Sequence, residues 1–358
     1  MDTLTAVAVS MLSVSRLKAA LVYCALRQSR PDAGLDLLLE ALKIPDAEAR
    51  ELADAARSAA ADALADASAL GIVAIPWFDP RYPALLACTS DMPPVLWGSG
   101  ALEVLESPAV AIVGSRAATP YARQVARRLA AELAERGIVV VSGLARGVDS
   151  AAHEGCLEGG GATIAVLGSG VDRIYPAEHD QLSRRISAKG LLISELGPGA
   201  APLPEHFPLR NRIISGISLG TVVVEASEKS GSLITAGCAM RQGRDVMAVP
   251  GSVLSGRNRG SHGLLKDGAK IVETADDILD ELGWSAPSPG AVRSRKSLSD
   301  DPLLARMQAG ESYGLDDLVE ITGMAASKLL PRLMELQLLG QVDAPSAGRF
   351  VRVSSGFW

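Results

Sequence analysis

The sequence contains few aromatic residues. They make up 4% of its 358 residues, although 48% of the chain is hydrophobic. A core must therefore be built chiefly from Ala, Val, Leu and Ile packed between helices and a sheet. Four cysteines are scattered without a CxxC pair, at Cys24, Cys88, Cys156 and Cys238. This spacing indicates neither a zinc site nor a disulfide framework, and it is typical of a reducing compartment.

The chain also lacks an excess of positive charge. Its formal net charge is -6, which argues against a protein that coats nucleic acid through global positive charge, so any DNA site must be a local patch. No apolar run approaches the roughly 18 residues that span a bilayer. The first residues lack the basic segment of a signal peptide, and Arg16 and Lys18 interrupt the apolar stretch that follows. We expect a cytoplasmic protein with no membrane contact.

Composition divides the chain into four segments. Residues 1–70 are rich in Ala and Leu with helical spacing and predict a small helical (SAM-like) domain, with Asp46 as the N-cap of its last helix and Gly71 as the stop. Residues 71–284 predict a Rossmann-like domain whose first part, 71–100, is an irregular connector with an edge strand. A linker follows at 285–300. Residues 301–358 read as three helices and a hairpin, which predicts a winged-helix domain for DNA or protein contact.

The fold class follows from the middle of the chain. Short β-branched runs alternate there with helical patterns, which is typical of βαβ units and an α/β, doubly wound, mostly parallel sheet. The runs are apolar throughout, as expected for strands covered on both faces. The predicted strands are residues 109–113, 138–141, 163–167, 191–194, 221–225, 245–249 and 270–272.

Glycine-rich segments begin where the first three of these strands end. They are Gly114-Ser115-Arg116, Gly143-Leu144-Ala145-Arg146-Gly147 and Gly168-Ser169-Gly170. In open α/β sheets this edge is where ligands bind. In the first loop Thr119 predicts a helix cap with Pro120 at the first helical position, which suits a phosphate site, although a tight βα turn without a ligand fits equally well. The loop is not a dinucleotide fingerprint, so no cofactor is expected.

Basic residues collect at the same edge. Four loops present Arg116, Arg146, Arg210, Arg212 and Lys229, and so many cations suit a polynucleotide backbone better than one phosphate. Asn211 lies between two of the arginines, and Ser230-Gly231-Ser232 follows the lysine. An intramolecular salt bridge to Glu195 or Glu225 is the alternative for the arginine pair.

Three further residues near this edge carry expectations. Tyr175 and Phe207 are expected to stack on bases or simply to pack. Asp149 is expected to cap a helix. Glu225 is expected to order the basic side chains.

The ordered series of motifs resembles the DprA/Smf family (DNA-processing protein A). The matching segments are Gly114-Ser115-Arg116, residues 142–149, Tyr175-Pro176, Ser194-Glu195, residues 207–216, Val224-Glu225-Ala226, residues 229–236 and residues 248–251. The resemblance implies an extended Rossmann fold, homodimerisation, single-stranded DNA binding and loading of the RecA recombinase in natural transformation. It also implies that the five basic residues line a DNA pocket. His179 and His262 stand where the family has asparagine, and neither has the neighbours of a metal ligand.

Two other functions compete with this reading. A nucleotide hydrolase of the lysine-decarboxylase-like type shares the fold, but its Pro-Gly-Gly-x-Gly-Thr motif is replaced by Lys229-Ser230-Gly231-Ser232, and no catalytic constellation emerges. A transcription regulator would use the terminal winged helix, where Asp316, Asp317, Glu320 and Glu335 make a poor phosphate-binding face. We therefore expect a binding protein rather than an enzyme.

Overall fold

A computed structural model of the chain describes residues 2–12, 22–23, 25–26, 29–30, 33–284, 303–307, 312–338, 342–346 and 349–352. The chain divides into two compact units, residues 1–289 and 290–358. The predicted linker at 285–300 lies outside the described residues. No helix among the described residues is both long enough and apolar enough to cross a membrane.

The first unit begins with helices. These are α1 (Thr3–Ser10), α2 (Leu35–Ala41) and α3 (Asp46–Ala69). The predicted N-cap is wrong by one residue, because Pro45 occupies the cap and Asp46 is already helical. Gly71 follows the helix with φ +67°, a left-handed conformation that glycine adopts at little cost, so the predicted stop is confirmed.

A nine-stranded sheet forms the centre of this unit. Its strands are β1 (Val73–Pro76), β2 (Val95–Gly100), β3 (Ala109–Gly114), β4 (Val139–Ser142), β5 (Thr163–Val166), β6 (Leu191–Ser194), β7 (Gly220–Val224), β8 (Asp245–Ala248) and β9 (Lys270–Ile271). Their spatial order is β1-β2-β6-β5-β4-β3-β7-β8-β9, parallel from β6 to β9. The mixed α/β, mostly parallel fold is therefore confirmed.

The connector predicted at 71–100 is more regular than expected. It supplies β1 and β2, which pair antiparallel with each other and add to the sheet through β6. The buried side chains of Ile75 and Leu96 join one core cluster and that of Trp97 joins another, so the two strands extend the core at this edge of the sheet. The sequence predicted only one edge strand here, because the prolines around the two strands are unfavourable within a sheet.

Helices connect the strands and cover the sheet. They are α4 (Ala84–Ala87), α5 (Pro120–Glu135), α6 (Val148–Glu158), α7 (Asp180–Lys189), α8 (His206–Gly216), α9 (Ser232–Arg241), α10 (Arg259–Lys266) and α11 (Ala275–Glu281). Short 3-10 turns stand at Leu102–Glu106, Ala177–His179 and Gly256–Asn258. Strands such as β4 are buried at every residue, which explains their apolar runs.

The helices α5 and α6 approach each other through glycine. A Cβ at Gly155 would lie 2.1 Å from the carbonyl oxygen of Arg127, and one at Gly159 would lie 2.7 Å from that of Ala131. Both positions are on α6 or at its end, four residues apart and therefore on one face. The absence of a side chain lets the two backbones touch.

The described residues of the second unit form a small antiparallel sheet and two α-helices. Its elements are β10 (Ser312–Gly314), α12 (Leu315–Thr322), α13 (Ala326–Leu338), β11 (Val342–Ser346) and β12 (Arg349–Arg352), with sheet order β10-β12-β11. In place of the first predicted helix the described residues form a 3-10 turn at Leu304–Arg306. The winged-helix assignment of this unit stays a prediction.

We expect Gly155→Ala to lower the free energy of unfolding by about 1–3 kcal/mol, because the added methyl group would push apart two packed backbones. Chemical denaturation followed by circular dichroism measures the change. The matched control is Gly263→Ala on α10, where an added Cβ meets nothing within 4 Å. There the better helix propensity of alanine should raise stability by about 0.5–1 kcal/mol. Unchanged or higher stability of Gly155→Ala would contradict the close approach.

Candidate nucleic-acid interface

The strand order reverses between β3 and β7. From β3 the chain proceeds through β4, β5 and β6 on one side, whereas β7, β8 and β9 lie on the other. At such a switch point the loops leaving the two central strands turn in opposite directions and leave a crevice at their carboxyl ends. Gly114 ends β3 and Val224 ends β7, so the first glycine loop and the segment from Glu225 form its two walls.

The first loop is fixed by hydrogen bonds before any ligand binds. A Cβ at Gly114 would lie 1.9 Å from the carbonyl oxygen of Val224, so only glycine allows the strands to approach here. Thr119 caps α5 by accepting from the amide of Ala122, with Pro120 at its start, which confirms the predicted cap. The amide of Thr119 donates to the carboxylate of Glu225 at 3.0 Å. Glu225 therefore orders the first loop rather than the basic side chains, which corrects that expectation.

The second loop is held from inside by Asp149. The cap of α6 is Gly147, so the predicted capping role of Asp149 is wrong. Its carboxylate instead accepts from the amides of Gly143 at 3.1 Å and Ala145 at 3.3 Å. Full burial raises the pKa of Asp149, while the charge of Arg210 opposes that shift. Gly147 also lets the two loops meet, because a Cβ there would lie 2.3 Å from the carbonyl oxygen of Ser115.

Arg210 is a buried cation beneath the cleft. Its Nη1 donates to the carbonyl oxygen of Gly143 at 2.5 Å and to that of Val166. A Cβ at Gly143 would lie 2.1 Å from the guanidinium, which explains the glycine. Burial lowers the pKa of Arg210 to about 10, so the side chain is charged at neutral pH. Arg210 lines the cleft, while its Nη1 bonds to these two carbonyl oxygens and its Nε donates to the side-chain oxygen of Asn211.

Arg212 lies outside the cleft. Its guanidinium pairs with Glu195, with Nη2 to Oε2 at 2.7 Å, and lies 3.6 Å from Asp91. Its side chain is 8% exposed. The salt bridge to Glu195, the alternative left open by the sequence, is what the structure contains, and the expectation of a ligand-facing Arg212 is corrected. Asn211, between the two arginines, donates to the carbonyl oxygen of Gly231 at 3.4 Å.

The third loop, Gly168-Ser169-Gly170, is buried and does not line the cleft. The hydroxyl of Ser169 donates to the carbonyl oxygen of Arg173 at 2.6 Å. A Cβ at Gly168 would lie 2.9 Å from the ring of Phe207. The loop therefore supports an aromatic side chain of the site instead of meeting a ligand, which corrects its predicted role.

The cleft itself is open and has a volume of 630 Å³. Loops after β3, β4, β5, β6 and β7 line it together with α8 and the start of α9, whereas Lys229 is not part of the lining. Among the predicted residues the lining contains Gly114, Ser115, Arg116, Tyr175, Phe207, Arg210, Asn211, Ser230, Gly231 and Ser232. Gly143 and Arg146 line an adjoining recess shared with Arg116, Tyr175 and Phe207. The structure thus brings together most of the predicted residues.

Aromatic side chains stand at the mouth. The rings of Tyr175 and Phe207 lie 5.3 Å apart at a tilt of 48°. The guanidinium of Arg116 lies 5.6 Å from the ring centre of Phe207. Tyr175 remains 45% exposed, so a face of this cluster is open to a flat ligand.

The cations of the site differ in how their charge is used. Arg116 and Lys229 are exposed and pair with no carboxylate in the described part of the chain. Arg146 is exposed but pairs with Glu178. Two cations are therefore available to an anion without breaking an existing bond.

Three residues at or beside the cleft were not predicted from the sequence. Pro202 and Pro204 form part of the cleft wall ahead of α8, and nothing in their pattern distinguished them from an ordinary loop. Arg257 donates to the carbonyl oxygen of Ala117 at 2.7 Å and lies 4.0 Å from Glu225. The basic pair Arg257 and Arg259 after a glycine could have signalled an approach to the first loop.

His179 and His262, which stand where the family has asparagine, each bond to a backbone carbonyl oxygen of another segment. Nδ1 of His179 bonds to the carbonyl oxygen of Leu144 at 2.9 Å, and Nε2 of His262 bonds to that of Gly251 at 3.1 Å. Among the described residues no group of three or more His, Cys, Asp or Glu side chains could hold a metal ion. Burial raises the pKa of the Cys156 thiol to about 11, which leaves it a poor nucleophile.

Comparison with known proteins gives a consistent set of relatives. Residues 73–283 match the family model of DNA recombination-mediator protein A. Protein Smf of Escherichia coli is 39% identical over 282 residues, 76% of this chain and 75% of that protein. DNA processing protein DprA of Streptococcus pneumoniae is 46% identical over 204 residues, 57% of this chain and 72% of that protein.

Two solved structures are similar as well. The X-ray structure of DNA processing protein A from Streptococcus pneumoniae has a TM-score of 0.70 and 34% identity, covering 78% of this chain and 98% of that one. DNA processing protein A from Helicobacter pylori, studied for its unique single-stranded DNA binding mode, has a TM-score of 0.51 and 32% identity, covering 56% and 92%.

His153, which is buried on α6 behind the second loop, should make the stability of the protein depend on pH. Because the hydroxyl of Thr163 donates to Val140, its oxygen must accept from Nδ1 of His153 at 2.7 Å. Burial lowers the pKa of His153 to about 3 from an ordinary 6.5, so the folded state keeps it neutral. Between pH 6.5 and 3 the unfolded chain then binds one more proton here than the folded chain. Stability should therefore fall with decreasing pH, by at most about 1.4 kcal/mol per unit from this group.

Denaturation midpoints measured from pH 7 to pH 4 test the assignment. In His153→Asn the amide can donate to Thr163 in place of Nδ1, and the acid-side slope should become shallower than in the parent. Parallel slopes would show that His153 titrates normally.

Proposed function

Because the chain belongs to the DNA recombination-mediator protein A family, we propose that its switch-point cleft binds single-stranded DNA. The observation that carries the proposal is Arg116, an exposed cation without a described carboxylate partner that lies against Phe207 at the mouth. A guanidinium beside an aromatic face offers a phosphate contact and a stacking surface within one nucleotide's reach.

Electrostatics supports a local anion site. The chain as a whole is acidic, with a net charge of -6, yet Arg116 and the buried Arg210 place positive charge in the cleft, and the exposed Lys229 precedes Ser230 of its wall. Guanidinium groups favour phosphate because they bind its oxygens through charge-assisted hydrogen bonds.

Stacking favours a single strand over a duplex. Tyr175 and Phe207 can contact only bases whose faces are open, and bases in a duplex are stacked on one another. The related protein from Helicobacter pylori has a described single-stranded DNA binding mode, which agrees with this choice.

The proposal includes a binding role without catalysis. In the described residues the buried carboxylates of the site hold backbone groups: Asp149 the second loop and Glu225 the first. A general base needs reach to a substrate proton, and both side chains are already engaged. The hydrolase alternative would require one of them to be released.

The family also suggests what the protein does in the cell. The function that we propose includes homodimerisation, delivery of the bound strand to the RecA recombinase, and a cytoplasmic location during natural transformation. These parts of the proposal rest on the family alone.

We expect Arg116→Ala to weaken binding to oligonucleotides of any sequence by a similar factor. The log–log salt dependence should flatten by about 0.7, the value for one phosphate contact on a single strand. Fluorescence anisotropy with labelled single-stranded and duplex oligonucleotides over a salt series measures both quantities. The control is Arg184→Ala on α7, whose side chain is 78% exposed and pairs with Asp180 outside the cleft.

An unchanged slope in Arg116→Ala, together with a lower melting temperature, would make Arg116 a structural residue. A duplex bound as tightly as the single strand would contradict the stacking argument.

We also expect no turnover of nucleoside monophosphates, because the described residues contain no metal-binding group and Asp149, a carboxylate that lines the cleft, is already engaged by two backbone amides. Chromatography of incubated nucleotides would detect released phosphate or free base. Release that Glu225→Gln abolishes would favour the hydrolase.

A further inference from the structure

Arg146 already holds an anion in this structure. Its Nε lies 2.5 Å from Oε1 of Glu178, and its Nη2 lies 2.9 Å from Oε2. Both side chains are more than half exposed. A guanidinium that binds two oxygens side by side is the geometry with which arginine also binds a phosphate.

The two partners are held in place by their own segments. Glu178 lies on the 3-10 turn Ala177–His179, and His179 of that turn bonds to the carbonyl oxygen of Leu144. Leu144 belongs to the loop that carries Arg146. This hydrogen bond ties the turn to the loop, so the Glu178 carboxylate lies beside the Arg146 guanidinium.

The pair borders the proposed DNA site. Arg146 lines the recess that Arg116, Tyr175 and Phe207 share, next to the main cleft. Arg116 is open to an anion there, whereas Arg146 is occupied. A strand that extends from Arg116 into the recess next reaches Arg146, where it meets the Glu178 carboxylate.

We propose that Glu178 occupies the position of one DNA phosphate at Arg146, so that a bound strand must displace it. Glu178 then sets the affinity of the cleft: it keeps Arg146 neutralised until a second phosphate reaches it. This inference rests on the proposed function of the same cleft. It assigns Glu178 as a residue that limits binding.

The test compares two matched substitutions in the full chain. Glu178→Gln keeps the side chain's size and removes its charge, and we expect about threefold tighter binding of a labelled 20-nucleotide oligo(dT), since exposed pairs are weak. Glu158→Gln is the control, because Glu158 pairs with Arg127 in the same forked geometry on α5 and α6, with similar exposure. It should leave the affinity unchanged.

A coupling measurement separates displacement from a general change of charge. In the parent, Arg146→Ala removes the phosphate contact and also the ion pair with Glu178 that the phosphate must displace, so the two losses partly cancel. In the Glu178→Gln background that ion pair is already absent, and only the phosphate contact is removed. Arg146→Ala should therefore weaken binding by a larger factor in Glu178→Gln than in the parent.

Two results would overturn the inference while the proposed function stands: binding that Arg116→Ala weakens but Glu178→Gln leaves unchanged, or an equal effect of Arg146→Ala in both backgrounds. If Glu158→Gln tightened oligonucleotide binding equally, the effect of Glu178→Gln would come from net charge alone, which would also overturn the inference. Absence of single-strand binding by the folded parent chain would overturn both proposals.

Discussion

Arg210 places a positive charge in the protein interior and bonds it to the backbone of two adjoining strand ends. The carbonyl oxygens of Gly143 and Val166 accept from one nitrogen of its guanidinium, and Asp149, close enough to act on its charge, holds the amides of Gly143 and Ala145. A buried cation is costly unless it is surrounded by acceptors and an opposite charge. The second loop therefore has to adopt the shape that supplies them. The neighbouring loops follow, because Gly147 contacts Ser115 and the third loop supports Phe207.

This arrangement divides the work among the basic residues. Arg210 shapes the floor of the cleft, Arg212 ties α8 to Glu195, and Arg116 stays exposed at the cleft without a carboxylate partner in the described part of the chain. An acidic chain can carry the anion site that we propose, because a positive field is needed only along one edge of the sheet.

Local signals predicted the fold and much of the site. The cap at Thr119, Pro120 at the first helical position and the buried β-branched runs depend on neighbours in sequence, so they could be found without the structure. Asp149 could not be assigned, since a carboxylate near a helix start has two sets of amides to choose from, and the loop's close turn at Leu144 favours the preceding set. Arg210 and Arg212 look alike in sequence. Their difference arises from which strand end each reaches, and that depends on the order of strands in the sheet.

Two non-glycine residues beside the cleft have left-handed backbones, Leu144 with φ +56° and Glu225 with φ +52°. Such conformations cost side chains of their kind about 1 kcal/mol or more, and here the fully buried Leu144 side chain and the Glu225 bond to Thr119 offset that cost. Contacts within the chain thus fix both residues at the walls of the cleft. If the cleft binds the strand that we propose, ordering these two residues adds no cost on binding, and a strand already extended would lose less conformational entropy than a coiled one.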